Sequence, residues 1–219
     1  MTTSVPAAYG VAEEIANAVS HGLGFAGAIV ATTLLLVKGL PVLDASQLAG
    51  VAVYGASLIL LFLCSTLYHA VTHAPGKAVL KRLDHCAIYL LIAGSYTPLL
   101  LITLESLPLA RIMLWVIWAI AVAGVAFKLL FIHRFKRLSL VTYLLMGWLS
   151  LLLVRDLWAA LPRDGFWLLI GGGLCFTVGA LFYAAKRYPY THAIWHVFVV
   201  AGASCHAVLI GQYVIPAGA

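Results

Sequence analysis

Two histidines four residues apart, His192 and His196 in the segment YTHAIWH, are the residues of this chain best suited to chemistry. Residues four apart on a helix share one face, with Cβ atoms about 5–6 Å apart, so two such imidazoles can bind one metal ion. The surrounding sequence is apolar, and ionisable residues in apolar spans are costly and usually functional. The same spacing also fits a hydrogen-bonded structural pair, so the metal interpretation needs ligands from elsewhere in the chain.

The composition of the chain predicts how those ligands are positioned. Of 219 residues, 64% are hydrophobic and 9% are charged, and the mean hydropathy is +1.07. Apolar runs of about 20 residues are long enough to cross a bilayer, and in lipid each must be helical. The N-terminus lacks the basic region and cleavage site of a secretory signal, so the first run is expected to be retained. Seven runs are predicted, at about 18–37, 47–70, 83–104, 108–131, 138–155, 165–185 and 190–214.

We therefore predict an all-α integral membrane protein, a seven transmembrane helix bundle. Residues 1–17 are expected to form a short cytoplasmic N-terminal segment, and residues 18–215 a single transmembrane domain. Positive residues favour the cytoplasmic side, which places the N-terminus in the cytoplasm and the C-terminus outside. The basic residues that decide this orientation lie in three alternate loops: Lys77, Lys81, Arg82, Lys128, Arg134, Lys136, Arg137, Lys186 and Arg187.

The net charge of +6 suits contact with anionic lipid headgroups. Nucleic-acid binding is a poor alternative, because no domain outside the membrane is predicted that would present the charge. A membrane lipid is therefore the expected partner.

This topology brings four polar residues to one depth near the cytoplasmic face: His69, Asp84, His192 and His196. The histidines were not used to set the topology, so their agreement in depth is independent support for a site. Three imidazoles with an open fourth position match a catalytic zinc site. Copper, nickel and iron also accept imidazole, and zinc is favoured by geometry and availability.

Asp84 and Ser65 are the predicted catalytic residues. Zinc produces hydroxide at neutral pH, and Asp84 would accept a proton from that water or hold a ligand imidazole in the right tautomer. Ser65 lies one turn before His69 and would donate a hydrogen bond to the water or to a developing oxyanion. The simpler alternatives are an interfacial ion pair between Asp84 and Arg82, and a Ser65 hydroxyl bonded to its own helix.

Other polar residues allow two interpretations each. Glu14 and His21 are either outer partners of the metal ligands or interfacial anchors. His206 lies ten residues beyond His196, about 15 Å along a helix, and is predicted to be a packed polar contact or to line a cavity. Pro98 should kink or locally break the third span. The cysteines, predicted to be small buried hydrophobes without disulfides, are Cys64, Cys86, Cys175 and Cys205.

Several of these motifs together resemble the hemolysin III family, the bacterial branch of the progestin and adipoQ receptor superfamily. The resemblance implies a multi-pass protein of the bacterial inner membrane, with zinc held by His69, His192 and His196 near Ser65 and Asp84. Alkaline ceramidases in the wider superfamily have a similar residue set, which implies hydrolysis of lipid amides. The matching segments, in chain order, are EIANAVSHGLGF from Glu14, Ser65-x-x-x-His69, Arg82-Leu83-Asp84-His85, Gly94-Ser95-Tyr96-Thr97-Pro98 and His192-x-x-x-His196.

Three functions from different classes follow. The first is a zinc-dependent hydrolase of lipid amide or ester bonds, which is the preferred hypothesis. The second is a non-enzymatic regulator or sensor of membrane homeostasis in which zinc is structural. The third is a cytolytic pore, which would require a polar stripe through several helices, and predicted spans four to six have almost none.

Overall fold

The long apolar runs of the sequence fold as helices. The computed structural model describes residues 10–131, 136–185 and 187–217, and within these ranges the regular structure is entirely helical. Seven of the described helical segments are long and apolar enough to cross a membrane, which confirms the predicted fold class. The helices are α1 Val11–Gly39, α2 Ala45–Ala70, α3 Ala74–Pro98, α4 Pro108–Phe131, α5 Lys136–Gly147, α6 Val154–Ala160, α7 Arg163–Ala184 and α8 Thr191–Leu209.

Two helices begin well before the apolar runs that predicted them. α1 starts at Val11 and α3 at Ala74, whereas the sequence placed these spans at 18 and 83. Hydropathy detects the part of a helix that lies in the hydrocarbon core of the bilayer. A helix can begin earlier, in the polar interface, where its first backbone N–H groups are capped. The Gly10 N–H donates to Glu13 Oε2 at 3.2 Å, and the Gly76 N–H donates to His73 Nδ1 at 3.3 Å.

Because α1 begins at Val11, residues 11–17 are helical. These residues were predicted to be part of a short cytoplasmic segment. Residues 1–9 of that segment lie outside the described residues. The same holds for Arg134 and Lys186 of the predicted basic loops, and for the side chains of Lys136 and Arg137.

The third and fifth spans depart from regular α-helix. After Pro98 the third span widens into a π-helix at Leu99–Thr103, so the expected local break is a change of helix type. The fifth span contains a 3₁₀ segment, Trp148–Leu153, between α5 and α6, which the sequence did not predict. Its backbone contacts Tyr96, whose hydroxyl donates to Gly147 O at 2.6 Å and accepts from Ser150 N–H at 2.7 Å.

The loop before α2 is fixed by a cap. Asp44 accepts hydrogen bonds from the Ser46 and Gln47 N–H groups at 2.7 and 2.9 Å. The hydrogen bond from the Gln47 backbone N–H is the main reason why the pKa of the Asp44 carboxyl is lowered. The bond from the Ser46 hydroxyl lowers this pKa further. Gln47 also donates to Glu105 at 2.7 Å and so links this loop to the one after the third span.

The bundle is held together by close helix packing, with apolar residues on its outer surface. α1 packs on α2, α2 on α3, and α7 on α8, while α8 also returns to α1. α7 and α8 approach closely at Gly172 and Gly202, where a Cβ on Gly202 would lie 3.0 Å from the Gly172 carbonyl oxygen. Large apolar side chains such as Trp115, 73% exposed, cover the outside, as expected of a surface in lipid.

Candidate metal centre

The three predicted metal ligands come together at one end of the bundle. His69 lies in the last turn of α2, and His192 and His196 lie in the first two turns of α8. The end of α2 and the start of α8 are therefore close together in the structure. We call this the histidine end. The three side chains are buried, and one nitrogen from each lies within 4.8 Å of the other two. They can therefore hold a metal ion.

The separation of the nitrogens fits a tetrahedral ion. Nε2 of His69 lies 3.2 Å from Nε2 of His192. Two nitrogens that each bind zinc at 2.0–2.1 Å in tetrahedral geometry are about 3.3 Å apart. Nε2 of His196 is enclosed and has no hydrogen-bond partner among the described residues, so it is available as the third ligand. One nitrogen of His196 lies within 4.8 Å of the other two, which is close enough to share an ion with them.

The α1 helix orients His69 through a carboxylate. Oε2 of Glu14 lies 2.6 Å from Nδ1 of His69, and Oε1 of Glu14 lies 3.0 Å from Nζ of Lys77. An ionised carboxylate can only accept, so Nδ1 carries the proton and Nε2 presents its lone pair towards His192. Hydrogen bonds of this kind set the tautomer and raise the basicity of metal-binding histidines. Glu14 thus contacts a predicted ligand directly, as the first of its two predicted roles requires.

The same helix orients His196. Its Nδ1 lies 3.2 Å from the Asn17 carbonyl oxygen and 3.3 Å from Ser20 Oγ, which itself donates to the Asn17 carbonyl. Because a carbonyl accepts, Nδ1 is assigned the proton and Nε2 the lone pair. His21 stacks on the His196 ring, with centroids 3.5 Å apart and planes 10° from parallel. His21 therefore packs inside the cluster and is buried.

Sequence reasoning missed Asn17 and Ser20. Asn17 acts through its main-chain oxygen, which residue type does not reveal. A signal was nevertheless present, because positions 14, 17 and 21 are spaced three and four apart and share one helical face. Three polar residues on one face of an apolar helix indicate a buried polar partner.

Asp84 is buried, and the ion pair with Arg82 that was the simpler alternative is not found among the described residues. Among the described residues, the ionisable side chain within 4 Å of the Asp84 carboxylate is His85, whose Nδ1 lies 3.5 Å from Oδ2, while Arg82 is exposed. Asp84 lines the same cavity as His21, whose ring stacks on that of His196. The carboxylate therefore lies near the histidine cluster.

Ser65 is fully buried one turn before His69. Its hydroxyl has no hydrogen-bond partner among the described residues, so it is not bonded to its own helix. Other buried hydroxyls of the spans do make that bond, as Thr32 does to the Ala28 carbonyl at 2.7 Å. Ser65 therefore differs from these residues in that its hydroxyl is unpaired among the described residues.

A cavity of about 150 Å³ extends from this region along the inside of the bundle. Asp84 and His21 line it at the histidine end, and His206 lines it further along α8. The wall between them is mostly aliphatic and aromatic. It is formed by α3, by the fifth span from α5 to α6, and by α7 and α8.

Comparison with known proteins identifies the family. The model of the family described as Haemolysin-III related matches residues 9–207. The chain belongs to the hemolysin III family. Hemolysin-3 of Bacillus cereus is 43% identical over 206 residues, which cover 94% of each chain. The hemolysin-3 homolog of Bacillus subtilis (strain 168) is 43% identical over 194 residues, 89% of this chain and 91% of the relative.

A more distant relative of this hemolysin III protein comes from an animal. The human monocyte to macrophage differentiation factor is 34% identical over 209 residues, 92% of this chain and 84% of the relative. This likeness is in keeping with the progestin and adipoQ receptor superfamily, to which the sequence motifs pointed. No solved structure is similar enough to count as a match. The hemolysin III protein is thus a multi-pass membrane protein with a cluster of three histidines that can hold a metal ion.

Proposed function

We propose that this hemolysin III protein binds zinc at His69, His192 and His196 and hydrolyses amide or ester bonds of membrane lipids. The observation that carries the proposal is the buried cluster, with two Nε2 atoms 3.2 Å apart and a third without a partner among the described residues. Imidazole nitrogens in this arrangement are typical zinc ligands. A zinc ion held there supplies a hydroxide nucleophile at neutral pH.

The residues around the cluster have separate roles in this proposal. Glu14 and the Asn17 carbonyl hold the ligand rings in the tautomer that binds metal. Asp84, buried and on the cavity wall, accepts the proton as a general base and returns it to the leaving group. Ser65 donates its unpaired hydroxyl to the developing oxyanion. The apolar cavity takes the acyl chain of the lipid and keeps bulk water from the reacting bond.

A second candidate is a sensor or regulator in which zinc is structural. One observation favours it: the described cavity wall includes His21 and Asp84 but none of the three ligand histidines. In that case the metal would link α2 to α8 but would not contact a molecule bound in the cavity. Removing the metal would destabilise the bundle, and no catalytic turnover would be observed with or without it.

The proposal also includes location and orientation. We place the protein in the bacterial inner membrane with the histidine end towards the cytoplasm. Lys77, Lys81 and Arg82 lie in the first turns of α3 at that end, which supports this orientation. At the opposite end, Lys38 is engaged by the bundle itself, since its ammonium group donates to the Gly211 carbonyl.

The first test is metal content together with turnover. Elemental analysis of detergent-purified protein should find about one zinc per chain in the wild type and in His73→Ala, which alters an exposed histidine outside the cluster. Zinc should be lost from His69→Ala, His192→Ala and His196→Ala. Asp84→Asn should keep the zinc but hydrolyse a fluorescent ceramide or acylglycerol at least about 100-fold more slowly than wild type.

Three results decide between the candidates. Zinc with turnover that depends on Asp84 supports the hydrolase. Zinc without turnover on amides or esters, together with unfolding on chelation, supports structural zinc and contradicts the hydrolase. Well-folded wild-type protein that takes up no zinc when resupplied contradicts both.

A further inference from the structure

A carboxylate of α1 contacts the backbone at the start of α8. Oε1 of Glu13 accepts a hydrogen bond from the Tyr190 N–H at 2.6 Å, while its Oε2 accepts from the Gly10 N–H and caps α1 itself. Tyr190 is the N-cap residue of α8, and the predicted ligand His192 follows it by two residues. The Glu13 side chain therefore joins the starts of two helices at the histidine end.

Tyr190 has a backbone conformation that most residues avoid. Its φ of 61° and ψ of 1° lie in the left-handed region, and no other described residue has a positive φ. A residue with a Cβ is strained in this region, whereas glycine adopts it readily. Such a conformation persists only where the surrounding structure holds it. The hydrogen bond from its N–H to Glu13 is a contact that can do so.

α8 does not supply this hydrogen bond from its own sequence. In a capping box, a Glu or Gln three residues into the helix accepts from the N–H of the N-cap residue. The corresponding residue of α8 is Ala193, which has no acceptor, and the Tyr190 side chain makes no capping bond among the described residues. Glu13 supplies the acceptor from α1 instead, and its negative charge is favourable at a helix N-terminus.

The contact completes a pattern in which α1 reaches the helical turn of every predicted ligand. Two α1 residues contact the other ligand rings directly: Glu14 with His69 at 2.6 Å, and Asn17 with His196 at 3.2 Å. For His192, Glu13 contacts the backbone two residues earlier. Metal ligands must be held close to their productive geometry, so a shift of this backbone displaces the imidazole from the site.

We propose that Glu13 positions His192 for metal binding by holding Tyr190 in its left-handed conformation. This inference rests on the proposed function and adds to its site a residue that contacts none of the ligand rings. Without the Glu13 carboxylate, Tyr190 relaxes to a negative φ and the first turn of α8 moves with it. Nε2 of His192 then leaves its place 3.2 Å from Nε2 of His69. Glu13 is thus a positioning residue.

The zinc affinity of folded, detergent-purified full-length protein tests this role. Titration against a competing chelator should show about 10-fold weaker binding in Glu13→Ala than in wild type, about the value of one hydrogen bond to a charged group. Glu13→Gln keeps a carbonyl oxygen that can accept from the Tyr190 N–H, so it should lose less affinity. Thermal unfolding of each variant establishes the temperature below which the affinities are measured on folded protein.

A second substitution separates this role from the cap that Glu13 provides for α1. Glycine adopts a φ of 61° without strain, so adding Tyr190→Gly to Glu13→Ala should restore most of the affinity although α1 still lacks its cap. Tyr188→Gly in the same background is the matched control. Tyr188 is exposed in the same turn, but its φ is not positive, so the control should restore no affinity.

Three results would overturn the inference and leave the zinc site standing. The first is equal affinity of Glu13→Ala and wild type. The second is a loss that Tyr190→Gly does not recover, which would assign the effect to the cap of α1. The third is a loss that Tyr188→Gly recovers equally well. Wild-type protein that takes up no zinc contradicts the inference and the proposed function together.

Discussion

The two carboxylate oxygens of Glu14 contact two different side chains, the His69 imidazole and the Lys77 ammonium group. Oε2 accepts from His69 at 2.6 Å and Oε1 pairs with Lys77 at 3.0 Å, so the carboxylate joins the end of α2 to the start of α3. In the proposed zinc site, His69 would thereby be oriented by a residue that does not bind the metal itself. Such outer contacts account for a substantial part of metal affinity.

Replacing Glu14 by Gln should weaken zinc binding by about 10- to 100-fold while the fold remains intact. The amide is nearly the same size but carries no charge, so it no longer favours the proton on Nδ1 of His69. Titration with a competing zinc chelator measures the change. Glu105→Gln makes the same replacement at the opposite end of the bundle, where Glu105 accepts from Gln47, and should leave the affinity unchanged. Equal affinity of Glu14→Gln and wild type would remove Glu14 from the site.

At this scale the sequence predicted the ligand cluster better than its surroundings. His69, His192 and His196 were recognisable because imidazoles are conspicuous in apolar spans. The stacking of His21 on His196 and the use of the Asn17 carbonyl could not be predicted, because they depend on the rotation of α1 against α8. No periodicity within one helix determines the rotation of another.

The position of each membrane-spanning helix follows from the hydropathy of its central residues. The residues at which a helix begins and ends depend on local hydrogen bonds to its terminal backbone groups. All seven spans were predicted, yet the starts of α1 and α3 were misplaced because capping extends helices beyond the hydrocarbon. The 3₁₀ segment at Trp148–Leu153 also escaped prediction. Its sequence is as apolar as that of an α-helix, and its stabilising partner, Tyr96, comes from a distant part of the chain.

The close contact between α7 and α8 gives a prediction of its own. Gly202→Ala should destabilise the protein by about 1–3 kcal/mol, because its Cβ would lie 3.0 Å from the Gly172 carbonyl and 2.8 Å from Phe176. α7 and α8 would then have to move apart. Thermal unfolding in detergent, followed by circular dichroism, should show a lower midpoint.

Gly171→Ala is the matched control for that change. It lies on the same pair of helices, but a Cβ there meets no atom of the described residues within 4 Å. Alanine favours a helix over glycine by about 1 kcal/mol, so the midpoint should hold or rise. If both alanine variants unfolded at the wild-type midpoint, the helices would not be in close contact at Gly202.

For the whole molecule, orientation is the property that charge bias predicts. We expect the C-terminus outside and the turn between α2 and α3 in the cytoplasm. A phosphatase that is active only outside the cytoplasm should be active when fused after residue 219 and inactive when fused after His73. The reverse pattern would place the histidine end outside and contradict the proposed topology.

The contacts of α1 with the ligand rings have a consequence for biogenesis. The first helix to enter the membrane carries Glu14 and Asn17, whereas the last one carries His192 and His196. A nascent chain that lacks α8 therefore has only one of the three predicted ligands, His69. A chain that lacks α1 has all three, but not the Glu14 carboxylate and Asn17 carbonyl that contact His69 and His196. In the proposed zinc protein, the metal site is therefore complete only once α8 has been inserted.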